Sequence, residues 1–371
     1  MKIAYIMSLS ADKLDGIGDK VVGQLSVWRK LGHDARLLSF APRSGSALKS
    51  VVGWIFGMEY PLGNALLGKL FRLFQYLRGL LVLFCWRPDV IYARAGYSPF
   101  GCKLWQLFGA KVILEINSDL VKEVENHLET GSLVEAEGQR ILGLWKGSLA
   151  KCDGMVSVSY QMDEVNVQFL KDQPHTVVWN SVDFREASNF ERSNASNRLP
   201  KLCFIGSKNF SWNGLDLLKD FAAKMVGKLD FVVIGASDDG LYSENVEIVP
   251  YLERDEMLKV LAACDVGLGT LALFRKGLDE CSALKARDYA LLGIPMILAY
   301  KETPFVGEDI PNWILEIPNT EEALNNGAEG IVSFCEEWKG RSFDINEAKP
   351  FYHSAYVEKR RLEFFESNLN S

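Results

Sequence analysis

The sequence has few residues of the kinds that bind metals, form disulfides or attract nucleic acids. Its 371 residues include four histidines, and its seven cysteines are an odd number, scattered without a CxxC pair. We therefore expect a reducing compartment and no metal site. The formal net charge is −7. A broad nucleic-acid surface needs clustered Lys and Arg to neutralise phosphates, so we expect no nucleic-acid partner.

A targeting segment and a long uninterrupted apolar run are also missing. The opening MKIAYIMSLSADK has one Lys and an apolar stretch too brief for a signal peptide, which favours a cytoplasmic location. The most apolar helical stretch, 66–87, is interrupted by Lys69, Arg72, Arg78 and Arg87, so it is too short to cross a bilayer. Packing within a large domain is the first explanation of this stretch. Peripheral contact with an anionic membrane, at its inner face, is the alternative.

The apolar residues that are present predict two α/β domains. With 48% hydrophobic residues, a chain of this length exceeds the usual size of one core. The run MKIAYIM predicts a buried strand. Apolar residues at helical spacing follow it and predict a helix that ends at Gly32. Further strands are predicted at 89–94, 110–117, 154–159 and 175–180, with helices between several of them. Such alternation is typical of a parallel sheet covered by helices.

The composition changes at 184–200, which is polar, rich in Asn and Ser, and without apolar periodicity. The α/β pattern then restarts, with strands predicted at 202–207, 230–237, 246–252, 265–271 and 295–300. We therefore predict a first domain over 1–183, a linker over 184–200 and a second domain over 201–350. The terminal segment 351–371 is predicted to be a helix that crosses back to the first domain.

The most informative segment is 277–299, GLDECSALKARDYALLGIPMILA. Ser282 suits the N-cap of a helix running from Ala283 to about Gly293. The free amides and positive dipole at its start suit a diphosphate. Glu280 precedes that start, and Asp288 lies about 80° around the helix and roughly 12 Å further along. Two carboxylates so placed can accept hydrogen bonds from sugar hydroxyls. Alternatively, Glu280 is a surface acid and Asp288 pairs with Lys285.

This segment resembles the Glu, seven residues, Glu motif of retaining glycosyltransferases of family 4. Members of that family have the GT-B fold, in which two Rossmann-like domains face a central cleft. The resemblance implies that Glu280 holds hydroxyls of the donor hexose and Asp288 holds the ribose. It also implies that the amides of Cys281, Ser282, Ala283 and Leu284 meet sugar and phosphate. The second acid is Asp here, one methylene shorter than the family's Glu.

A glycine-containing loop is predicted at 15–23, DGIGDKVVG, between the first strand and the first helix. Its glycines do not fit GxGxxG, which argues against a dinucleotide oxidoreductase. The loop resembles the family's N-terminal glycine loop, which implies that Gly18 lies near the donor. Lys20 would then offer a cation to the donor, and a solvated lysine at the helix start is the alternative.

The segment 204–218 resembles the family's Phe-x-Gly-Arg and Lys-Gly, whose cations neutralise the donor diphosphate. Ser207 and Asn213 stand where that Arg and Lys are expected. The diphosphate then needs other cations, for which Lys208, Lys285, Arg275 and Lys276 are candidates. Gly206 and Tyr251 complete the predicted donor site, for which no metal or other cofactor is expected.

In the first half, Arg94, Glu115, Asn117 and Asp119 stand at or just after predicted strand ends, where α/β proteins bind ligands. We predict that Arg94 and Glu115 face the acceptor. Many relatives carry a His in this part of the domain, and Asn117 is the predicted catalytic neighbour in its place. The alternative is that Asn117 or Asp119 only caps the helix that begins near Leu120.

The resemblance implies an enzyme that transfers a hexose, with retained anomeric configuration, from a nucleotide-diphosphate sugar such as a UDP-sugar. A glycan or lipid-linked acceptor in polysaccharide biosynthesis is expected. Two other classes stay open. One is a catalytically silent relative that binds sugar nucleotides or glycans as a partner subunit. The other is a sugar-nucleotide epimerase, against which the small number of histidines argues.

Overall fold

A computed structural model describes most of the chain. The described ranges are 1–7, 16–39, 53–55, 65–94, 102–107, 109–129, 131–193, 196–206, 210–236 and 242–370. The chain divides into two compact units. The first is Met1–Val178 together with Glu358–Ser371, and the second is Trp179–Val357. The segment 184–200, predicted as a linker, lies within the second unit. There Asp183 caps a 3-10 helix, Phe184–Asn189, whose first side chain is buried.

The first unit is built on a seven-stranded sheet with the order β3-β2-β1-β4-β5-β6-β7. Its strands are β1 Lys2–Met7, β2 Asp34–Ser39, β3 Gly53–Ile55, β4 Val90–Arg94, β5 Lys111–Ile116, β6 Gly154–Ser157 and β7 His175–Val177. Every neighbouring pair is parallel. The central strands are almost wholly buried, as expected where helices cover both faces of a parallel sheet.

In the described residues, six helices of the first unit precede the second unit in the chain. They are α1 Gly16–Lys30, α2 Ala65–Trp86, α3 Cys102–Gln106, α4 Leu120–Glu129, α5 Glu135–Leu149 and α6 Tyr160–Val167. The predicted loop over 15–23 is wrong, because α1 begins at Gly16 and takes Gly18 and Lys20 into its first two turns. Gly32 follows the end of α1 with a φ of 90°, a conformation that glycine adopts without strain.

An aromatic cluster packs α1 and the chain terminus onto the sheet of the first unit. It consists of Tyr5, Trp28, Tyr92 and Phe365, all of which are fully buried. The ring centroid of Trp28 lies 5.8 Å from that of Tyr92 and 5.7 Å from that of Phe365. Such edge-to-face pairs stabilise a core beyond the area that they bury.

The second unit has a six-stranded sheet with the order β10-β9-β8-β11-β13-β15, again with parallel neighbours. These strands are β8 Lys201–Ile205, β9 Asp230–Ile234, β10 Val246–Val249, β11 Val266–Leu268, β13 Met296–Leu298 and β15 Ile314–Glu316. Two short strands, β12 Glu280–Cys281 and β14 Lys301–Glu302, pair outside that sheet.

The helices of the second unit are α7 Leu215–Lys224, α8 Arg254–Ala262, α9 Leu284–Leu291, α10 Ala323–Asn326, α11 Ala328–Trp338 and α12 Ile345–Tyr352. The last helix, α13 Ser354–Leu369, starts in the second unit, and its residues from Glu358 onward belong to the first. Each unit thus has the alternation of strands and helices that the sequence predicts.

Candidate functional site

The start of α9 is shaped by the short strand before it. Glu280 is 7% exposed and lies opposite Lys301 in the β12–β14 pair. The N-cap of α9 is Ala283, in an extended conformation, and its side chain makes no capping bond. The prediction of Ser282 as N-cap is wrong, because the backbone N–H of Asn180 donates to its hydroxyl over 2.8 Å.

A buried arginine fixes the backbone between β12 and α9. Arg287 is 1% exposed, and its guanidinium donates to the carbonyls of Ala283 at 2.6 Å and Asn180 at 2.8 Å. It also donates to the Ser282 hydroxyl at 2.7 Å and pairs with the Glu302 carboxylate. Burial raises the pKa of Glu302 to about 7, against the opposing effect of Arg287. These bonds set the direction in which the first amides of α9 point.

Lys285, the second residue of α9, carries a buried ammonium without an acceptor. Its Nζ has no hydrogen-bond partner in the described structure and lies 4.3 Å from the centroid of the Phe204 ring. Burial lowers the pKa of Lys285 to about 7, and the nearby Cys281 thiol opposes this only in part. A buried donor without an acceptor costs free energy. At the positive end of a helix dipole, an anion is the group that would complement it.

The backbone after β8 lies close to Phe204, whose ring is next to the Lys285 ammonium. A Cβ atom on Gly206 would lie 2.7 Å from the Phe204 ring and 3.1 Å from the Asn213 side chain, so only glycine fits there. Asn213 is 8% exposed. Lys208 lies outside the described residues. Close backbone approach beside a buried cation is the arrangement that phosphate-binding loops use.

The other predicted cations differ in their surroundings. Arg275 forms two bonds to Asp216, at 2.9 and 2.6 Å, and a third to the Ser211 carbonyl, so its guanidinium is already engaged. Lys276 is 8% exposed, and its ammonium lies 3.9 Å from the centroid of the Trp212 ring. Tyr251, which is predicted to contact the donor but carries no charge, is 52% exposed. Of the three cations Arg275, Lys276 and Lys285, the last is the one whose buried nitrogen has no hydrogen-bond partner in the described structure.

Asp288 is buried and paired, although not with the lysine of the alternative explanation. Its carboxylate accepts a 2.7 Å bond from Arg254, which also lies 3.2 Å from Glu186. Burial raises the pKa of Asp288, and Arg254 opposes that rise. The pairing of Asp288 with Lys285 is thus wrong, while its assignment to the ribose stays a prediction. Arg254 could not be found from sequence spacing, because it lies on α8.

In the first unit, the predicted residues of α1 and β5 meet in a buried cluster. Lys20 is 8% exposed and donates to the Glu115 carboxylate at 2.9 Å and to the Asn117 amide oxygen at 2.7 Å. Tyr5 donates to the other oxygen of Glu115. The alternative of a solvated helix-start lysine is therefore wrong. Burial lowers the pKa of Lys20 to about 8, although Glu115 favours its charged form.

Glu115 is fully buried in a cationic environment. Burial alone would raise its pKa, but Lys20, Arg361 and Arg94 together hold the pKa of Glu115 well below its usual range. The carboxylate is thus ionised and unsuited to accept a proton. Arg361 comes from α13, where it also bonds to Glu358 at 2.9 Å. Sequence spacing gave no signal for this partner, which is remote in the chain.

The helix-cap alternative applies to Asp119 and not to Asn117. The Asp119 carboxylate accepts bonds from the backbone N–H groups of Val121 at 2.9 Å and Lys122 at 3.1 Å, at the start of α4. Asn117 bonds to Lys20 instead, and its amide nitrogen is buried without a partner. Asn117 is therefore the residue of this pair that remains available to a ligand.

Two general features of the described residues bear on ligands and membranes. They contain no group of three or more His, Cys, Asp and Glu arranged to hold a metal ion. Within the same ranges, no helix combines the length and the apolar character needed to cross a membrane.

Comparison with known proteins gives structural similarity without sequence similarity. No protein-family model matches the chain, and no curated protein matches it significantly. Sucrose-phosphate synthase from Thermosynechococcus elongatus superposes with a TM-score of 0.70 at 14% identity, over 99% of this chain and 98% of that one. Anabaena HepE in complex with UDP and glucose gives 0.69 at 13%, over 99% and 100%. The lipopolysaccharide outer core galactosyltransferase WaaB, in its apo form, gives 0.64 at 12%, over 99% and 100%.

These superpositions cover essentially the whole of each chain. Together with the two parallel sheets, they show that the protein has the GT-B fold, built from two Rossmann-like α/β units. The predicted fold class is confirmed.

Proposed function

We propose that this protein is a glycosyltransferase that moves a hexose from a UDP-sugar to a glycan or lipid-linked acceptor, with retained anomeric configuration, in polysaccharide biosynthesis. Its structural relatives include HepE, solved with UDP-glucose, and the galactosyltransferase WaaB. The observation that carries the proposal is the buried ammonium of Lys285, without an acceptor, at the start of α9. That site suits a diphosphate.

Each part of the donor has a candidate partner in the second unit. Lys285 and the first amides of α9 bind the diphosphate, and Glu280 accepts hydrogen bonds from hydroxyls of the hexose. Asp288 binds the ribose hydroxyls, with Arg254 as the neighbour that keeps its carboxylate charged. Arg287 contacts no substrate in this scheme. It positions the backbone of 280–283 through its bonds to Ala283 and Asn180.

The reaction breaks the bond between the anomeric carbon and the β-phosphate oxygen. A hydroxyl oxygen of the acceptor forms the new bond on the same face of the sugar, and its proton passes to an oxygen of the leaving UDP. The negative charge that develops on the diphosphate is stabilised by Lys285 and by the α9 dipole. Since these groups supply positive charge, no metal is required in the proposed mechanism.

A panel of UDP-hexoses tests the donor assignment. We expect one or more of them to raise the melting temperature of the wild type, and transfer to a glycan acceptor to give a product with the donor's anomeric configuration by NMR. Lys285→Gln should lose most of the donor-induced shift. Lys301→Gln, which alters an exposed lysine of β14, should keep it. A panel that stabilises nothing would contradict the proposal, and an inverted product would contradict retention.

A catalytically silent binding subunit is the second candidate, favoured by the ion pair that already engages Asp288. Such a protein would bind a UDP-sugar but neither transfer nor hydrolyse it. Measuring UDP release during prolonged incubation with the donor that binds best separates the two. Release that Glu280→Ala abolishes supports the enzyme, whereas binding without release supports the silent subunit.

The proposal includes contact with an anionic membrane through α2. Phe74, Leu77, Leu81 and Phe84 are each more than half exposed, and their spacing places them on one face of the helix. Leu83, on the opposite face, is buried, so α2 packs by one side and exposes the other over residues 77–86, where its side chains are described. The charged residues of α2 are all positive. A second copy would bring like charges together, whereas anionic lipid complements both the apolar face and its cations.

Vesicle flotation tests this surface. The wild type should bind vesicles that contain phosphatidylglycerol, and binding should weaken with salt and in phosphatidylcholine alone. Leu77→Glu with Leu81→Glu should abolish binding, while Leu107→Glu should not, because Leu107 is 78% exposed but lies outside α2. Equal flotation of the double variant and the control would contradict membrane contact through α2.

A further inference from the structure

Two polar residues of the first unit, Arg94 and Asn117, stand at the carboxyl edge of its sheet. Arg94 ends β4, where it stands opposite Glu115 of β5, and Asn117 follows the end of β5. The guanidinium is close enough to Glu115 and Lys20 to lower the pKa of each. Arg94 and Asn117 therefore belong to one electrostatic cluster at the edge where α/β units bind ligands.

The orientation of the Asn117 amide follows from its partner. Lys20 can only donate, so the atom of Asn117 that it contacts at 2.7 Å is the oxygen. The amide nitrogen must then point elsewhere, and it is buried without an acceptor in the described structure. A buried donor in this state calls for an acceptor atom that the protein does not supply.

Arg94 supplies a positive charge beside this amide. It is half-buried, and no hydrogen bond or ion pair joins it to another described residue. Glu115 is already engaged by Lys20 and Tyr5, and Glu358 by Arg361. Among the described members of this cluster, three cations thus face two carboxylates, so one positive charge has no carboxylate partner within it.

We propose that Arg94 and Asn117 form a binding site for an anionic oxygen group, a phosphate or a carboxylate, in the first unit. A neutral sugar hydroxyl could accept a bond from the Asn117 amide, but it would leave the positive charge uncompensated. A phosphate or carboxylate accepts a bond from the Asn117 amide and also compensates the charge of Arg94. Hydrogen bonds between arginine and an anion are stronger than those between neutral groups. This inference rests on the proposed function, and the anionic group belongs to an acidic acceptor.

Inorganic phosphate and glucuronate are suitable probes, with glucose as the neutral control, and binding to the full-length protein is followed by NMR of the probes. We expect phosphate and glucuronate to bind and glucose not to. Arg94→Gln should weaken the anion affinity about tenfold or more, and Arg94→Lys should keep part of it. Asn117→Asp still accepts from Lys20 but replaces the donor with a negative charge, so it should abolish binding.

The proposed donor site would also bind phosphate. Every variant is therefore made in a Lys285→Gln background, and Lys285→Gln alone is the reference protein. Loss of anion binding in Arg94→Gln on that reference, with an unchanged melting temperature and circular dichroism, supports the site. Displacement of the probe from that reference by saturating UDP would contradict the assignment of the site to an acceptor. Unchanged anion affinity in folded Arg94→Gln and Asn117→Asp proteins would overturn the inference, as would equal binding of glucose.

Discussion

Binding of UDP should be accompanied by proton uptake at Lys285. The pKa of this lysine is about 7 in the unliganded protein, so about 90% of the ammonium groups have lost their proton at pH 8 and about 10% at pH 6. A diphosphate beside the side chain favours its charged form and raises the pKa. Each UDP should therefore take up about 0.9 proton at pH 8 and about 0.1 at pH 6. Its affinity should fall by up to about tenfold per pH unit above 7.

Isothermal titration calorimetry in two buffers of different ionisation enthalpy measures that uptake directly. Lys285→Met removes the titrating group and corrects for protonation of UDP itself, which matters near pH 6. Lys285→Arg keeps a permanent charge, so it should bind UDP without the proton uptake. Wild-type binding at pH 8 with no more proton uptake than Lys285→Met would refute the assignment of the diphosphate to Lys285. A complete lack of UDP binding would instead refute the donor proposal.

Three substitutions extend these predictions. Lys285→Met should stabilise the unliganded protein at pH 6 by up to about 5 kcal/mol in urea unfolding, because it removes a buried ammonium whose pKa is lowered from 10.5 to about 7, and the gain should shrink as pH rises above 7. Arg287→Met leaves Glu302 unpaired and frees the backbone before α9, so it should cost about 3–5 kcal/mol and weaken UDP binding as well. Asp288→Asn should weaken UDP more than it weakens inorganic pyrophosphate, which lacks the ribose, in competition experiments. An equal loss for both ligands would contradict the ribose assignment.

The direction of the Lys285 effect follows from proton linkage. Its pKa is lowered from 10.5 on folding, so the unfolded chain binds more protons than the folded one between pH 7 and 10.5. Stability then rises with pH across that window as the buried ammonium loses its charge. Lys285→Met has no titrating group at this position. The difference in free energy of unfolding between this variant and the wild type should therefore shrink as pH increases. A stability difference that is independent of pH would contradict the titration of Lys285 near neutrality.

The sequence predicts helix ends and the alternation of strands and helices, because both depend on residues that are close together in the chain. The ends of helices at Gly32 and Gly293 follow from glycine in a left-handed conformation, with φ values of 90° and 65°. The alternating strands and helices follow from apolar periodicity. The start of α1 was misjudged because the glycines of 15–23 favour a loop by local propensity, whereas Gly18 lies in the first turn of the helix.

Contacts between distant segments account for what the sequence could not show. Ser282 has the properties of a cap, but its hydroxyl binds Asn180 and Arg287, of which the first is 102 residues away. No motif marks Arg287, whose bond to the Asn180 carbonyl joins residues 107 positions apart. Lys20 was expected near a ligand, and its pairing with Glu115 joins segments 95 residues apart. Such pairings depend on the packing of the whole unit.

The most direct measurement of the central claim is the rate of UDP release from a panel of UDP-hexoses by wild-type protein and Glu280→Gln, with a glycan acceptor present. The proposed site predicts that at least one hexose supports release, and that Glu280→Gln lowers the rate about 100-fold or more while still binding UDP, because Glu280 contacts the hexose. Release that is equal in the two proteins, or absent for every UDP-hexose, would contradict it.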